Sequence, residues 1–296
     1  MRSYRFVTAD VFTDRRFGGN QLAVVLDARG LSDAEMQSIA DEFGYSETTF
    51  VLPSTRDDAD RQVRIFTPAD ELPFAGHPTL GTAHALAALG YHAIGEKGGA
   101  VRFEQRAGIV PVKIEAENGM PVRTELTAPG ALEVGETVLV ERVASVVKLE
   151  PAAIDVGAHE PRMVSLTNRF AIARLRNVDA LAAAQPFGAA EAASFKTGLY
   201  LYAPLGENRW RCRLFAPLLG IEEDPATGSA AVTLAAYLAQ LDDRSGGDFS
   251  YLFEQGVEMG RPSRLDGTAV KRDGRVIESR VAGQSVLVTD GKLVLD

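Results

Sequence analysis

The feature that most constrains this chain is a phrase written twice. Residues 77–83 read HPTLGTA and residues 224–230 read DPATGSA. Both run histidine or aspartate, proline, two variable positions, glycine, a small hydroxyl residue and alanine, and both open an alanine-rich apolar run. The repeat has company. RIFTP (64–68) returns as RLFAP (213–217) and FEQ (103–105) returns at 253–255, so three segments recur in order at separations of 149, 147 and 150 residues. One three-residue match arises readily by chance. An ordered set at a nearly constant half-chain offset argues for two related lobes.

Each lobe then reads strand, loop, helix, strand. RQVRIF and RWRCRLF alternate as strands and lead to a proline. The loops PADELPFAG and PLLGIEE follow. Pro78 and Pro225 suit a first helical turn, where a missing N–H costs nothing. The helices GTAHALAALG and GSAAVTLAAYLAQL carry no polar stripe, which predicts burial on most sides. After them come VRFEQRAGIVPVKIE and TELTAPG in the first half and SRVAGQSVLVTDGKLVL in the second, all rich in strand-forming residues. The expected fold is α+β, with two pseudo-symmetric lobes, 1–130 and 131–296. Each is a curved β-sheet or barrel wrapped around a central helix, and the C-terminal strand is free to cross back to the first.

The first helix is the most legible element. In GLSDAEMQSIADEFG, Ser32 and Glu35 form a capping box, Met36, Ile39, Ala40 and Phe43 make one buried face, and Gly44 suits the terminating position. Tyr45-Ser46-Glu47 then turns the chain into the strand TTFVLP. Glu47 thus stands where an element ends, a place from which a side chain can be aimed into a cleft.

Composition removes several classes of function. The chain has 296 residues, 46% of them hydrophobic, and a formal net charge of -9. That charge argues against broad nucleic-acid binding. No stretch approaches a membrane-spanning length of apolar residues, and the N-terminus lacks an apolar signal region, so a cytoplasmic location is expected. Cys212 is the one cysteine, and the four histidines form no metal-binding motif. Neither the common dinucleotide-binding glycine pattern nor a P-loop occurs, so no cofactor or metal is expected. Cys212 reads as a small strand side chain and His84 as helix packing, while His92 and His159 sit in loop-like stretches.

Glu47, His77 and Asp224 are the candidates for chemistry, each with a plain alternative. Glu47 could be a solvated turn carboxylate, His77 a hydrogen-bonded loop histidine, and Asp224 a helix N-cap. The duplication changes the balance, because His77 and Asp224 fall at equivalent helix starts. Two such starts facing one cleft bring free backbone N–H groups and positive dipole ends, which suit a carboxylate and negative charge developing beside it. Gly76, Gly81 and Gly228 let the backbone approach a ligand, and Ser229 adds a hydroxyl.

DVFTDRRFGGNQLAVV, MQSIADEFGYSETTFV, ELPFAGHPTLGTAHAL and EDPATGSAAVTLAAYL, in that order from residue 9 to about 240, resemble the signature blocks of the PhzF-like, phenazine-biosynthesis isomerase family. The chain departs from them in reading GGNQLAVV where GNPLAV is usual. The resemblance implies a diaminopimelate epimerase-like fold, an active site between the lobes, a homodimer, and cofactor-independent isomerisation of trans-2,3-dihydro-3-hydroxyanthranilate. It implies Glu47 as the general acid/base, with His77 and Asp224 flanking the substrate and assisting proton traffic. Ser46, Gly76, Gly228 and Ser229 match ligand-contacting positions. Related racemases carry cysteines near these loop starts and this chain has none there, which disfavours a cysteine two-base mechanism. Two further readings stay open. One is an amino-acid racemase or epimerase using His77 or Asp224 as a second base, and the other a non-catalytic carboxylate-binding protein.

Overall fold

The computed structural model describes residues 1–193 and 195–296. They form two compact units: Met1–Thr127 with Ala282–Asp296, and Ala128–Val281. The first contains β1 (Arg2–Val11), β2 (Asn20–Val25), α1 (Asp33–Phe43), β3 (Glu47–Leu52), β4 (Arg61–Phe66), β5 (Glu71–Leu72), α2 (Gly76–Ala88), β6 (Gly98–Gln105), β7 (Gly108–Glu117) and β8 (Met120–Thr127). The second contains β9 (Glu133–Thr137), α3 (Val140–Val146), β10 (Arg162–Ser165), β11 (Arg169–Arg174), α4 (Val178–Ala183) and α5 (Ala189–Ala192). It continues through β12 (Gly198–Gly206), β13 (Arg209–Ala216), β14 (Ile221–Asp224), α6 (Gly228–Leu241), β15 (Gly247–Gln255) and β16 (Ser263–Arg272) to β17 (Arg275–Gly283). The last strand, β18 (Ser285–Leu295), pairs antiparallel with β1 in the first unit.

The duplication is written into the strand pairings. In the first unit β1–β2 is antiparallel, β2–β3 parallel, β3–β4 antiparallel, β4–β5 antiparallel, β4–β6 parallel and β6–β7 antiparallel. In the second the same sequence runs through β10–β11, β11–β12, β12–β13, β13–β14, β13–β15 and β15–β16. Even the register repeats, Gln62 facing Glu104 and Arg211 facing Glu254. In each unit the strands surround one helix. Every residue of α2 from Gly76 to Ala87 is buried, and α6 is buried along most of its length. This is what a helix without a polar stripe requires.

The local signals of α1 act as written. Ser32 Oγ accepts from the Glu35 N–H, Glu35 Oε2 accepts from the Ser32 N–H at 2.8 Å, and Gly44 closes the helix in the left-handed region at φ 62°. Met36, Ile39 and Ala40 enter a core with Val25, Phe50 and Phe66, and Phe43 packs edge-on against Phe6.

Three readings are corrected by tertiary context. Asp224 is not a helix N-cap: it ends β14, paired with Leu214, and α6 starts four residues later with Thr227 at the N-cap. Pro225 therefore precedes the helix instead of lying in its first turn. The loops PADELPFAG and PLLGIEE each contain a short strand, β5 and the start of β14. Gly81 sits inside α2, where an added Cβ would lie 2.5 Å from Val11 Cγ2 and 2.6 Å from Leu22 Cδ2. It permits close helix–strand packing and makes no ligand approach.

The repeated RIF and RLF segments have a shared purpose. Arg64 bonds Glu71 at 2.8 and 2.7 Å and lies over the Phe66 ring, while Arg213 bonds Glu223 at 2.8 Å twice and lies over Phe215. Each arginine pins the short strand that leads toward the central helix.

His84 lies in the packed interior on α2. It is 6% exposed, its Nδ1 has no hydrogen-bond partner, and burial pushes its pKa down to about 4. The folded state therefore holds His84 neutral, whereas the unfolded chain takes up a proton below about pH 6.5. Stability contributed by the neutral form is present above pH 6.5 and is lost as pH falls toward 4, by about 3 kcal/mol in total. Urea unfolding of wild type and His84→Leu across this window should give converging curves above pH 6.5 and a flatter acid limb for the variant. Identical slopes would remove His84 from this account.

Candidate active site

Glu47 opens β3, and His77 is the second residue of α2. The carboxylate Oε2 lies 2.9 Å from His77 Nδ1. The glutamate side chain is 15% exposed and the imidazole 4%, so the carboxylate is partly open to water and the ring is buried behind it. His77 Nε2, on the far side of the ring, is buried and has no hydrogen-bond partner. Such an atom is costly unless something bonds to it. With a neutral imidazole the pair has two states. When Glu47 is ionised, Nδ1–H donates to it and Nε2 presents a lone pair. In the other tautomer, with the imidazole proton on Nε2, a protonated Glu47 donates to Nδ1 and Nε2 presents an N–H.

The surroundings are built from the same few elements. β2 and β3 are parallel with Leu22 beside Glu47, so the turn after β1 lies next to the start of β3. Ser46 Oγ donates to Asn20 Oδ1 at 3.3 Å, and Asn20 is itself buried. Buried Asp10 accepts the Phe17 N–H at 2.7 Å and holds that turn, in which Gly19 adopts φ +62° with Val11 O only 2.3 Å from where a Cβ would stand. Thr49 and Thr82 share a hydroxyl–hydroxyl bond of 2.8 Å, which ties β3 to α2 just beyond the glutamate. Gly76 is buried at the first position of α2.

In the second unit Asp224 is 7% exposed and its Oδ2 accepts from the Thr227 hydroxyl. Gly228 and Ser229 open α6, with Ser229 Oγ accepting from Asn168 Nδ2 at 3.4 Å. Cys212 is fully buried in β13, with its thiol pushed up to about 12 by burial, as befits an inert strand side chain. His159 is a core histidine: Nδ1 donates to the Glu160 carbonyl at 2.7 Å, and Nε2 accepts from Tyr202 at 2.6 Å. His92 bonds the Ala100 carbonyl. Among the described residues, no three His, Cys, Asp or Glu side chains are grouped to hold a metal ion, and no helix is long and apolar enough to cross a membrane.

The structure thus brings Glu47, His77, Ser46 and Gly76 together in the first unit, and Asp224, Gly228 and Ser229 together in the second. Asn20, Thr49 and Thr82 escaped the sequence reading. Asn20 lies in the quoted GGNQ, yet its type alone gave no sign that it would be buried against Ser46.

Comparison with known proteins bears on the fold and the family. The fold is shared with a hydroxyproline epimerase from Agrobacterium vitis, at a TM-score of 0.69 over 100% of this chain and 93% of that one, with 12% identity. A PhzF-family phenazine biosynthesis protein from Bacillus anthracis superposes with a TM-score of 0.87 and 27% identity, covering 100% of both chains. In sequence, the chain is 36% identical over 293 residues to a trans-2,3-dihydro-3-hydroxyanthranilate isomerase from Pseudomonas aeruginosa, covering 99% of this chain and 100% of the relative. The class is therefore an isomerase on a fold shared with amino-acid epimerases. Residues 9–291 match the PhzC-PhzF family, described as phenazine biosynthesis-like protein, and the chain belongs to that family.

Proposed function

We propose that the protein is a cofactor-independent isomerase that moves a proton between carbons of a small carboxylic acid, with Glu47 as the general acid/base. The observation that carries this reading is the contact of partly buried Glu47 with buried His77, whose Nε2 is unpartnered. A carboxylate that takes a proton from carbon must later return one. The imidazole bonded to it holds the carboxylate through Nδ1–H and leaves its Nε2 lone pair to accept from a substrate hydroxyl or amino group. Ser46 and Gly76 supply substrate contacts beside the pair. On the second unit Asp224 assists, with Gly228 and Ser229 contacting the acid group.

The substrate is tested by direct conversion. Purified protein is offered trans-2,3-dihydro-3-hydroxyanthranilate and a panel of amino acids and unsaturated acids, and products are read by NMR and chiral chromatography. Conversion of the dihydro acid is expected, with no inversion of any amino acid. Inversion at an α-carbon would replace this reading with racemisation, and an inert panel would withdraw the dihydro acid as substrate.

A further inference from the structure

The FEQ repeat ends on a glutamine each time, and both glutamines are buried. Gln255 closes β15 and Gln105 closes β6. In the second unit Gln255 Nε2 donates to the Asp224 carbonyl at 2.8 Å and to Thr227 Oγ1 at 3.0 Å. Its Oε1 accepts from the Tyr200 hydroxyl at 3.3 Å and from the Thr227 N–H at 3.4 Å. The Thr227 hydroxyl in turn donates to the Asp224 carboxylate.

The first unit uses its own glutamine in a similar way. Gln105 Nε2 donates to Thr79 Oγ1 at 2.8 Å, and the Thr79 hydroxyl donates to the Ala75 carbonyl at 2.6 Å. Ala75 is the N-cap of α2 and offers no side-chain cap, and neither does the N-cap of α6. In each unit a strand-end glutamine is bonded to the start of the central helix, Gln105 to the Thr79 hydroxyl in the first turn of α2 and Gln255 to the N–H and hydroxyl of Thr227 at the N-cap of α6. The direction of the relay matters. Thr79 has one hydroxyl proton and gives it to Ala75, so the partner of its oxygen must be a donor, which an amide is and a carboxylate is not.

We infer that Gln105 is a positioning residue for the acid/base pair: through Thr79 and Ala75 it sets the first turn of α2 so that His77 Nδ1 meets Glu47. Any consequence for turnover rests on the function proposed above. The positioning itself does not, and its test needs no substrate.

The test is NMR of protein carrying 15N-labelled histidine, with the four imidazoles assigned by single His→Gln variants. In wild type His77 should show a downfield Nδ1–H signal that exchanges slowly with solvent. Gln105→Met, Gln105→Glu and Thr79→Val should move that signal upfield and speed its exchange by roughly tenfold, the worth of about one hydrogen bond. Thr79→Ser, which keeps the hydroxyl, should leave it in place. His159, held by Glu160 and Tyr202 in the second unit, is the internal control. An unchanged His77 signal in Gln105→Met would overturn the inference. So would loss of the His77 and His159 signals together, which would make Gln105 a general stabiliser. If the substrate panel is inert while the His77 signal shifts as stated, the function fails and the positioning stands.

Discussion

Arg213→Ala should be among the most destabilising single changes in the second unit, lowering stability by about 3–5 kcal/mol. The side chain is 5% exposed and makes a two-pronged bond to Glu223, itself 10% exposed. Its Nη1 also donates to the carbonyls of Leu181 and Ala184, at 3.0 and 2.6 Å. Truncation leaves the Glu223 carboxylate without its guanidinium and the Ala184 carbonyl without the Nη1 donor, while the Leu181 carbonyl keeps only the Ala184 N–H, and it removes the cation from the Phe215 face. Thermal unfolding should drop by roughly 10 °C for a unit of this size. The double variant Arg213→Met with Glu223→Leu should recover much of the loss, because an apolar pair of similar volume needs no partner. The matching change at Arg64, which is 20% exposed, should cost less, since water can reach the carboxylate left behind. A melting point for Arg213→Ala within about 2 °C of wild type would contradict this account, given the scale of about 2–4 °C per kcal/mol.

Glu47→Gln should abolish the chemistry and spare the fold. The amide has nearly the same shape, and its oxygen can accept the His77 Nδ1–H that the carboxylate accepts at 2.9 Å. It cannot take a proton from carbon. A positioned general base contributes about 10²–10⁴ in rate, and turnover should fall by at least that factor. Unfolding midpoints should change little, since no charge is left unpaired and no cavity opens. His77→Gln should lower turnover by a smaller factor, because it leaves the base in place and removes only its partner. A Glu47→Gln protein that both melts early and loses activity would show that the carboxylate is structural.

Much of this was legible in the sequence, and the reason differs from element to element. The capping box at Ser32 and Glu35 and the Gly44 terminator are local, so α1 could be read directly. The duplication could be read because both copies keep the residues that pin the same junctions, and the matching strand pairings repeat it in three dimensions. Asp224-Pro225 misled because the local signal for a cap is strong, while the competing demand, pairing of β14 with β13, comes from residues distant in sequence. Gly81 misled for a similar reason: its small size answers to Val11 and Leu22, which no helix pattern names. The glutamines of FEQ were visible as letters but not as purpose. A buried amide is justified only by the partners it finds, and Thr79 and Thr227 become partners only after folding. The Glu47–His77 contact joins residues thirty apart, so the sequence could nominate both but could not supply the 2.9 Å between them.

Glu47 is proposed to carry a proton to and from carbon. This role is tested most directly by incubating wild type and Glu47→Gln with trans-2,3-dihydro-3-hydroxyanthranilate in heavy water and following deuterium at each carbon by NMR. Deuterium should enter at carbon with wild type and not above background with the variant. Deuterium entering at the same rate with both proteins would contradict that role.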